Sequence, residues 1–232
     1  MSYRQKCFYS IPQFKPSNAK RTRIENEMIR QQSKAKQVAI TAMVAAIYAI
    51  LFFGSAPGML PGFTLLYLPV ILLGVFPIWF GWSGLAGCMI GAFIGGVYVE
   101  QVAPYAAWVE SITALIIFGL NWILIPRNAV ENKTKRNLIL LIVAYAISLF
   151  IGTAYILWQY TFLFSIGILA FSILGGFSFV VVLLATYSLN LVIQLAVCPA
   201  LLRAVTPRLK SWGVYSGNFA EWRRLRAKSQ VK

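Results

Sequence analysis

Two stretches of this chain, residues 37–126 and 137–202, contain no lysine, arginine or histidine. All 21 basic residues fall outside them: nine in residues 1–36, four in 127–136 and eight in 203–232. A soluble domain cannot run 90 residues without a basic group on its solvent face. A membrane domain can, because a basic side chain at the bilayer centre costs roughly 3 kcal/mol and collects on the cytoplasmic side. The chain therefore reads as an all-α integral membrane protein in three parts. These are a basic cytoplasmic tail (1–36), a membrane domain (37–202) and a second basic cytoplasmic tail (203–232).

Composition agrees: 59% of residues are hydrophobic and 12% charged, outside the usual soluble range. The net charge of +15 follows the positive-inside pattern and contact with anionic lipid rather than nucleic-acid binding. The first apolar run starts near residue 37, too late for an ordinary cleaved signal peptide, so residues 1–36 are expected to be retained. Cys7, Cys88 and Cys198 form no disulfide framework. The Asn132-Lys133-Thr134 sequon falls in the basic loop and is read as chance.

A span needs about 20 residues. The first block holds four, at about 37–53, 63–79, 84–98 and 106–125. If 1–36, 127–136 and 203–232 are all cytoplasmic, the second block must hold an even number, placed at about 138–158 and 177–202. The expectation is a six-transmembrane-helix bundle with both termini cytoplasmic. Residues 159–176, too apolar for a plain loop, are left as a re-entrant or interfacial segment or an extension of either span.

There is no histidine and no aspartate, which removes histidine zinc sites and Ser-His-Asp triads. No phosphate-binding loop of the G-x-x-x-x-G-K-[ST] type occurs. The expectation is a protein that is not an enzyme, with no metal, no cofactor and no catalytic residue. Within the apolar blocks only Glu100 and Glu110 carry charge, and they flank one outward loop with Tyr98, Gln101, Tyr105 and Trp108. Trp158, Gln159 and Tyr160 fall at the same level. One reading is an interfacial aromatic belt. The other is a substrate site, since carboxylates gain nothing at that depth without a partner. Tyr187, Asn190 and Gln194 share a face of the last span, either as interhelical glue or as the floor of a pocket, with Tyr187 and Asn190 nearest it. Because the outer half has carboxylates and aromatics but no cation, a neutral or cationic heteroaromatic ligand suits it.

Two small-residue stripes complete the pattern. Ala42, Ala45, Ala46 and Ala49 lie at i, i+3, i+4 and i+7 of span one, and Gly84, Gly87, Gly91 and Gly95 run along span three. Such stripes bring backbones together in lipid, within the chain or against a partner.

The Ala42-x-x-x-Ala46 and Ala45-x-x-x-Ala49 pairs carry a family resemblance. So do Tyr67-Leu-Pro69-Val70-Ile71-Leu72-Leu73-Gly74-Val75-Phe76 and the Gly81-x-x-Gly84-x-x-Gly87-x-x-x-Gly91 run. Over residues 37–202 the chain resembles the S-component, the substrate-binding membrane subunit, of an energy-coupling-factor (ECF) vitamin transporter. The resemblance implies a six-helix bundle in a prokaryotic plasma membrane that takes up a small water-soluble micronutrient. It also implies docking through Ala42, Ala45, Ala46 and Ala49 on a transmembrane coupling subunit driven by ATP-binding subunits. The chain departs from the family in its long basic tail, in residues 159–176 and in lacking an evident vitamin signature. Lacking histidine, it is not one of the nickel or cobalt relatives. The competing reading is a multi-span membrane sensor or scaffold signalling through a separate chain, since only about 30 residues follow the last span.

Overall fold

The computed structural model describes residues 18–60, 63–64, 66–99, 104, 107–126, 130, 134–167 and 178–223. They divide into two compact units, Met1–Gln37 and Val38–Lys232. Within the first, residues from Asn18 onward are helical and belong to α1 (Asn18–Gly54).

The second unit is built almost wholly from helices. After α1 come a 3-10 turn (Ala56–Gly58) and a short antiparallel pair, β1 (Met59–Leu60) with β2 (Phe63–Thr64), in register Met59 to Thr64. There follow α2 (Val70–Leu73), α3 (Phe76–Phe80), α4 (Trp82–Tyr98), α5 (Trp108–Leu124), α6 (Lys135–Ser165) and α7 (Phe179–Ser211). Among the described residues, three helices are long and apolar enough to cross a membrane: residues Lys34–Gly54 of α1, α6 and α7. They mark the chain as a membrane protein. Helices α4 and α5, at 17 residues each, measure about 26 Å at 1.5 Å per residue, just short of a bilayer core of about 30 Å.

Local chemistry explains the breaks. Thr134 caps α6 by accepting from the Asn137 N–H at 3.3 Å, and Ser178 does the same for Val181 at 3.3 Å in α7. Pro126 follows the extended Ile125 and stops α5. Gly81, with φ +59°, makes the turn between α3 and α4, a conformation that disfavours any side chain. Helix α7 continues through Pro199 and Pro207, as membrane helices tolerate.

Where the sequence suggested one span at 63–79, the structure instead has β2 and two helices of four and five residues, separated by Gly74 and Val75. Residues 66–81 are thus an interrupted segment rather than a continuous helix. The last two long helices overrun their expected ends. Helix α6 absorbs residues 159–165 as an extension of its span, and α7 runs past residue 202 into the basic tail. Residues 168–176 lie outside the described residues.

Packing joins α4 to α5, α5 to α6, α6 to α7 and α2 to α7. The core between them holds Val44, Tyr48, Phe52, Ile78, Leu85, Phe118, Trp122 and Tyr145. Large apolar side chains such as Ile50, Ile123, Ile139, Val180 and Val192 point outward, as they do on helices solvated by lipid.

The two stripes behave differently. Gly87, Gly91 and Gly95 of α4 take their neighbours from α1, but from its bulky face, whereas Gly84 meets Phe76 and Phe80 of α3. A Cβ added at Gly87 would lie 2.6 Å from Val44 Cβ, one at Gly91 2.7 Å from Tyr48 Cβ, and one at Gly95 2.5 Å from the Phe52 ring. Of the alanines, Ala45 is buried and its carbonyl would lie 2.9 Å from a Cβ added at Gly91. Ala42 and Ala46 are exposed, and Ala49 is half-buried. Glycine and alanine do not zip together; helix α1 has one packed face and one open face.

Candidate functional site

The interrupted segment exposes backbone groups that a continuous helix would pair, and in a membrane each must find a partner inside the protein. The surrounding helices supply them. The Tyr67 N–H donates to Asn190 Oδ1 of α7 at 2.9 Å, and the Leu68 N–H to Ser55 Oγ at 2.9 Å. Ser55, just past the end of α1, itself donates to the Leu51 carbonyl at 3.0 Å. Asn190 is anchored by donating from Nδ2 to the Thr186 carbonyl at 2.9 Å. Cys198 Sγ donates to the Ile71 carbonyl at 3.1 Å, and the Tyr145 hydroxyl of α6 to the Gly74 carbonyl at 3.3 Å. The Tyr145 ring occupies the place a side chain at residue 74 would need.

Aromatic rings line the same region. The hydroxyls of Tyr48 and Tyr67 are hydrogen-bonded to each other. Phe52 meets the Tyr67 ring edge-on at 5.2 Å, and Phe118 lies 5.8 Å from Tyr48. Tyr187, about one turn before Asn190 on α7, is half-buried and edge-on to Phe150 at 5.5 Å. The result is an aromatic, uncharged environment with a few placed polar atoms, the residue types that small-molecule sites use.

A second polar centre joins α5 to α6. Glu110 is only 1% exposed and accepts from the fully buried Tyr160 hydroxyl at 2.5 Å. Gly96 of α4 lies alongside, with room for no more than a close contact, a Cβ there being 3.0 Å from Glu110 Cγ. Ser111 ties the same turn to α4 by donating to the Met89 carbonyl at 2.9 Å. One helical stretch further on, Ser148 donates to Asn121 Oδ1 at 2.6 Å.

At the other end of α5, the chain after α7 folds back. Ser216 N–H donates to the Trp79 carbonyl at 2.8 Å, Trp122 Nε1–H to the Gly217 carbonyl at 2.9 Å, and Asn218 Nδ2–H to the Ile125 carbonyl at 3.0 Å. Trp82, Trp122, Phe219 and Trp222 pack as a ring cluster over these bonds. The C-terminal stretch, expected from its charge to be a plain tail, is docked as far as residue 223.

The expected site residues therefore separate. Asn190 is in the polar seam. Glu110 is buried, but in the α5–α6 centre. Tyr98, Trp108 and Trp158 are exposed at 68%, 59% and 58%, as residues of an aromatic belt are. Trp108 packs on Phe93 and Trp158 on Phe162. Gln159 is half-buried and donates to the Tyr155 hydroxyl at 3.3 Å. Glu100, Gln101 and Tyr105 lie outside the described residues. Sequence reasoning did not find Ser55, Tyr67 or Tyr48. The signal for them was the Tyr67-Leu-Pro69 break itself, since a proline-stopped turn inside an apolar block demands buried hydrogen-bond partners. Among the described residues no three His, Cys, Asp or Glu side chains gather to hold a metal.

Compared with known protein families, with curated proteins and with solved structures, the chain matches none.

Proposed function

We propose that this chain is the substrate-binding membrane subunit of an ECF-type importer, taking up a small neutral or cationic heteroaromatic micronutrient and performing no chemistry itself. In this reading the chain crosses a prokaryotic plasma membrane six times, through α1, the interrupted segment, α4, α5, α6 and α7. Both termini and residues 127–136 then face the cytoplasm, where all 21 basic residues collect.

The observation that carries the reading is the division of α1 into two faces. One face, with Val44, Tyr48 and Phe52, is consumed by the α4 glycines; the other presents Ala42 and Ala46, exposed among the described residues. A smooth alanine surface on an otherwise bulky membrane helix suits close approach by another helix. The interrupted segment with its aromatic, uncharged surroundings suits a ligand without net negative charge, because an anion would meet no buried cation and its desolvation would go uncompensated.

Native mass spectrometry of the protein purified from its own membrane tests the proposal. The expected spectrum contains a second membrane subunit, ATP-binding subunits and a co-purifying heteroaromatic compound. A chain that purifies with a signalling partner and no ATP-binding subunit would favour the sensor reading instead.

A further inference from the structure

Along one face of α7, polar side chains recur every fourth residue: Thr186, Asn190, Gln194 and Cys198. Asn190 and Cys198 are committed to the interrupted segment, through the Tyr67 N–H and the Ile71 carbonyl. Gln194, one turn from each, is therefore level with residues 68–70. It is 0% exposed, and among the described residues neither its Oε1 nor its Nε2 has a hydrogen-bond partner.

The segment facing it explains the empty Oε1. Pro69 has no N–H. The Leu68 N–H is taken by Ser55, and the Val70 and Ile71 N–H groups by the carbonyls of Tyr67 and Leu68 at 3.0 Å each. Every donor of residues 68–71 that Oε1 could have used is spent. A carboxamide buried with both ends empty opposes folding, whereas a leucine of similar size at this position would not. Among the described residues Asn121 Nδ2 and Thr186 Oγ1 are also unpaired, but Gln194 alone has both ends of its side chain empty, and such a group has a use at a recognition site that it lacks in a packed core.

We propose that Gln194 is the recognition group for a small neutral ligand bearing a hydrogen-bond donor and acceptor side by side, as on the lactam or imide edge of a heterocycle. A planar carboxamide offers one N–H and one carbonyl oxygen at fixed spacing. Its complement is an adjacent acceptor and donor in one plane, joined by two parallel hydrogen bonds. A carboxylate ligand would satisfy the N–H and repel from Oε1, and it would find no lysine, arginine or histidine anywhere in residues 37–126 or 137–202. A ring lacking the donor would leave Oε1 empty. The inference rests on the substrate-binding reading above and names the chemistry of its ligand.

The experiment is thermal unfolding of the full-length protein in detergent, for the native chain and Gln194→Leu, with millimolar uracil, 2-pyridone or N-methyl-2-pyridone. Without ligand, Gln194→Leu should unfold about 4 °C higher than the native chain, because it removes two unpaired polar ends. Uracil and 2-pyridone should raise the native unfolding temperature. N-methyl-2-pyridone, which has the same ring and carbonyl but no N–H, should not, and Gln194→Leu should respond to none of them. A lower unfolding temperature for Gln194→Leu would show the amide to be a structural group held by water. That outcome, ligand shifts that survive the substitution, or no shift of the native chain with either lactam would each overturn the proposal. Since none of these outcomes bears on which subunits co-purify, the importer reading stands or falls separately.

Discussion

Between α1 and α4 the contact is glycine backbone against bulky side chains; between α7 and the interrupted segment it is polar side chains against backbone. Both seams face the same problem, that burying apolar area separates nothing from lipid tails as apolar as the core. The first gains from van der Waals contact at Gly87, Gly91 and Gly95 and tolerates no added atom. The second gains from hydrogen bonds made by Asn190 and Cys198, joined by Ser55 beyond α1 and Tyr145 of α6, to backbone that cannot otherwise be paired. A close-packed seam is rigid and specifies a fold. A seam of side-chain bonds to a broken segment can exchange partners, which is what a binding site needs.

The sharpest way to break the first seam is Gly91→Val. An added Cβ would meet the Tyr48 Cβ and the Ala45 carbonyl, the latter at 2.9 Å, and backbone cannot step aside. A loss of about 3 kcal/mol is expected, read by denaturation in mixed micelles, and a variant within about 0.5 kcal/mol of native stability would show that α1 and α4 are not in contact there. For the second seam, Asn190→Leu keeps the volume but strands the Tyr67 N–H. The expected loss is about 2 kcal/mol, with Asn190→Asp recovering part of it through the remaining acceptor. Equal stability of the leucine and asparagine forms would mean the segment finds another acceptor.

The α5–α6 centre should be the least costly of the three to disturb. Tyr160→Phe removes only the hydroxyl that reaches Glu110, and about 1 kcal/mol is expected. If instead it unfolds the protein, the Glu110–Tyr160 pair is the keystone of the bundle and the ranking of the seams is wrong.

Much of this was written in the sequence, and the rest was hidden for physical reasons. The gaps in basic residues located the membrane domain, because charge exclusion acts on every residue in the bilayer. Span length within the apolar block placed α4 and α5 to within a few residues at most ends. It did not show that residues 63–79 break into two short helices, because the Val70–Phe76 run is apolar whether continuous or interrupted; only Pro69 and Gly74 hinted at it. Nor did it show which stripe meets which. Spacing put Ala42, Ala46 and Gly91 in similar patterns, and the choice of neighbour depends on helix rotation, which pattern alone does not set. The polar face at Asn190 and Gln194 was legible as a face. That Gln194 Oε1 is left unpaired follows from the spent donors of residues 68–71, a fact of tertiary structure. Tyr98, Trp108 and Trp158 were harder still: their residue types suit either a belt or a pocket, and pattern alone did not show that they are exposed.

The central claim is that the open face of α1 is a docking surface, and the adjacent alanines Ala45 and Ala46 test it most directly. Tryptophan at each position, followed by affinity purification from native membranes and native mass spectrometry, compares the two faces at one helix level. Ala46→Trp should leave the unfolding temperature unchanged and yield the lone 25.9 kDa chain, stripped of its membrane partner and ATP-binding subunits. Ala45→Trp, pressed against Gly91, should lower stability instead. An Ala46→Trp chain that still purifies with the full complement of partners would contradict the account.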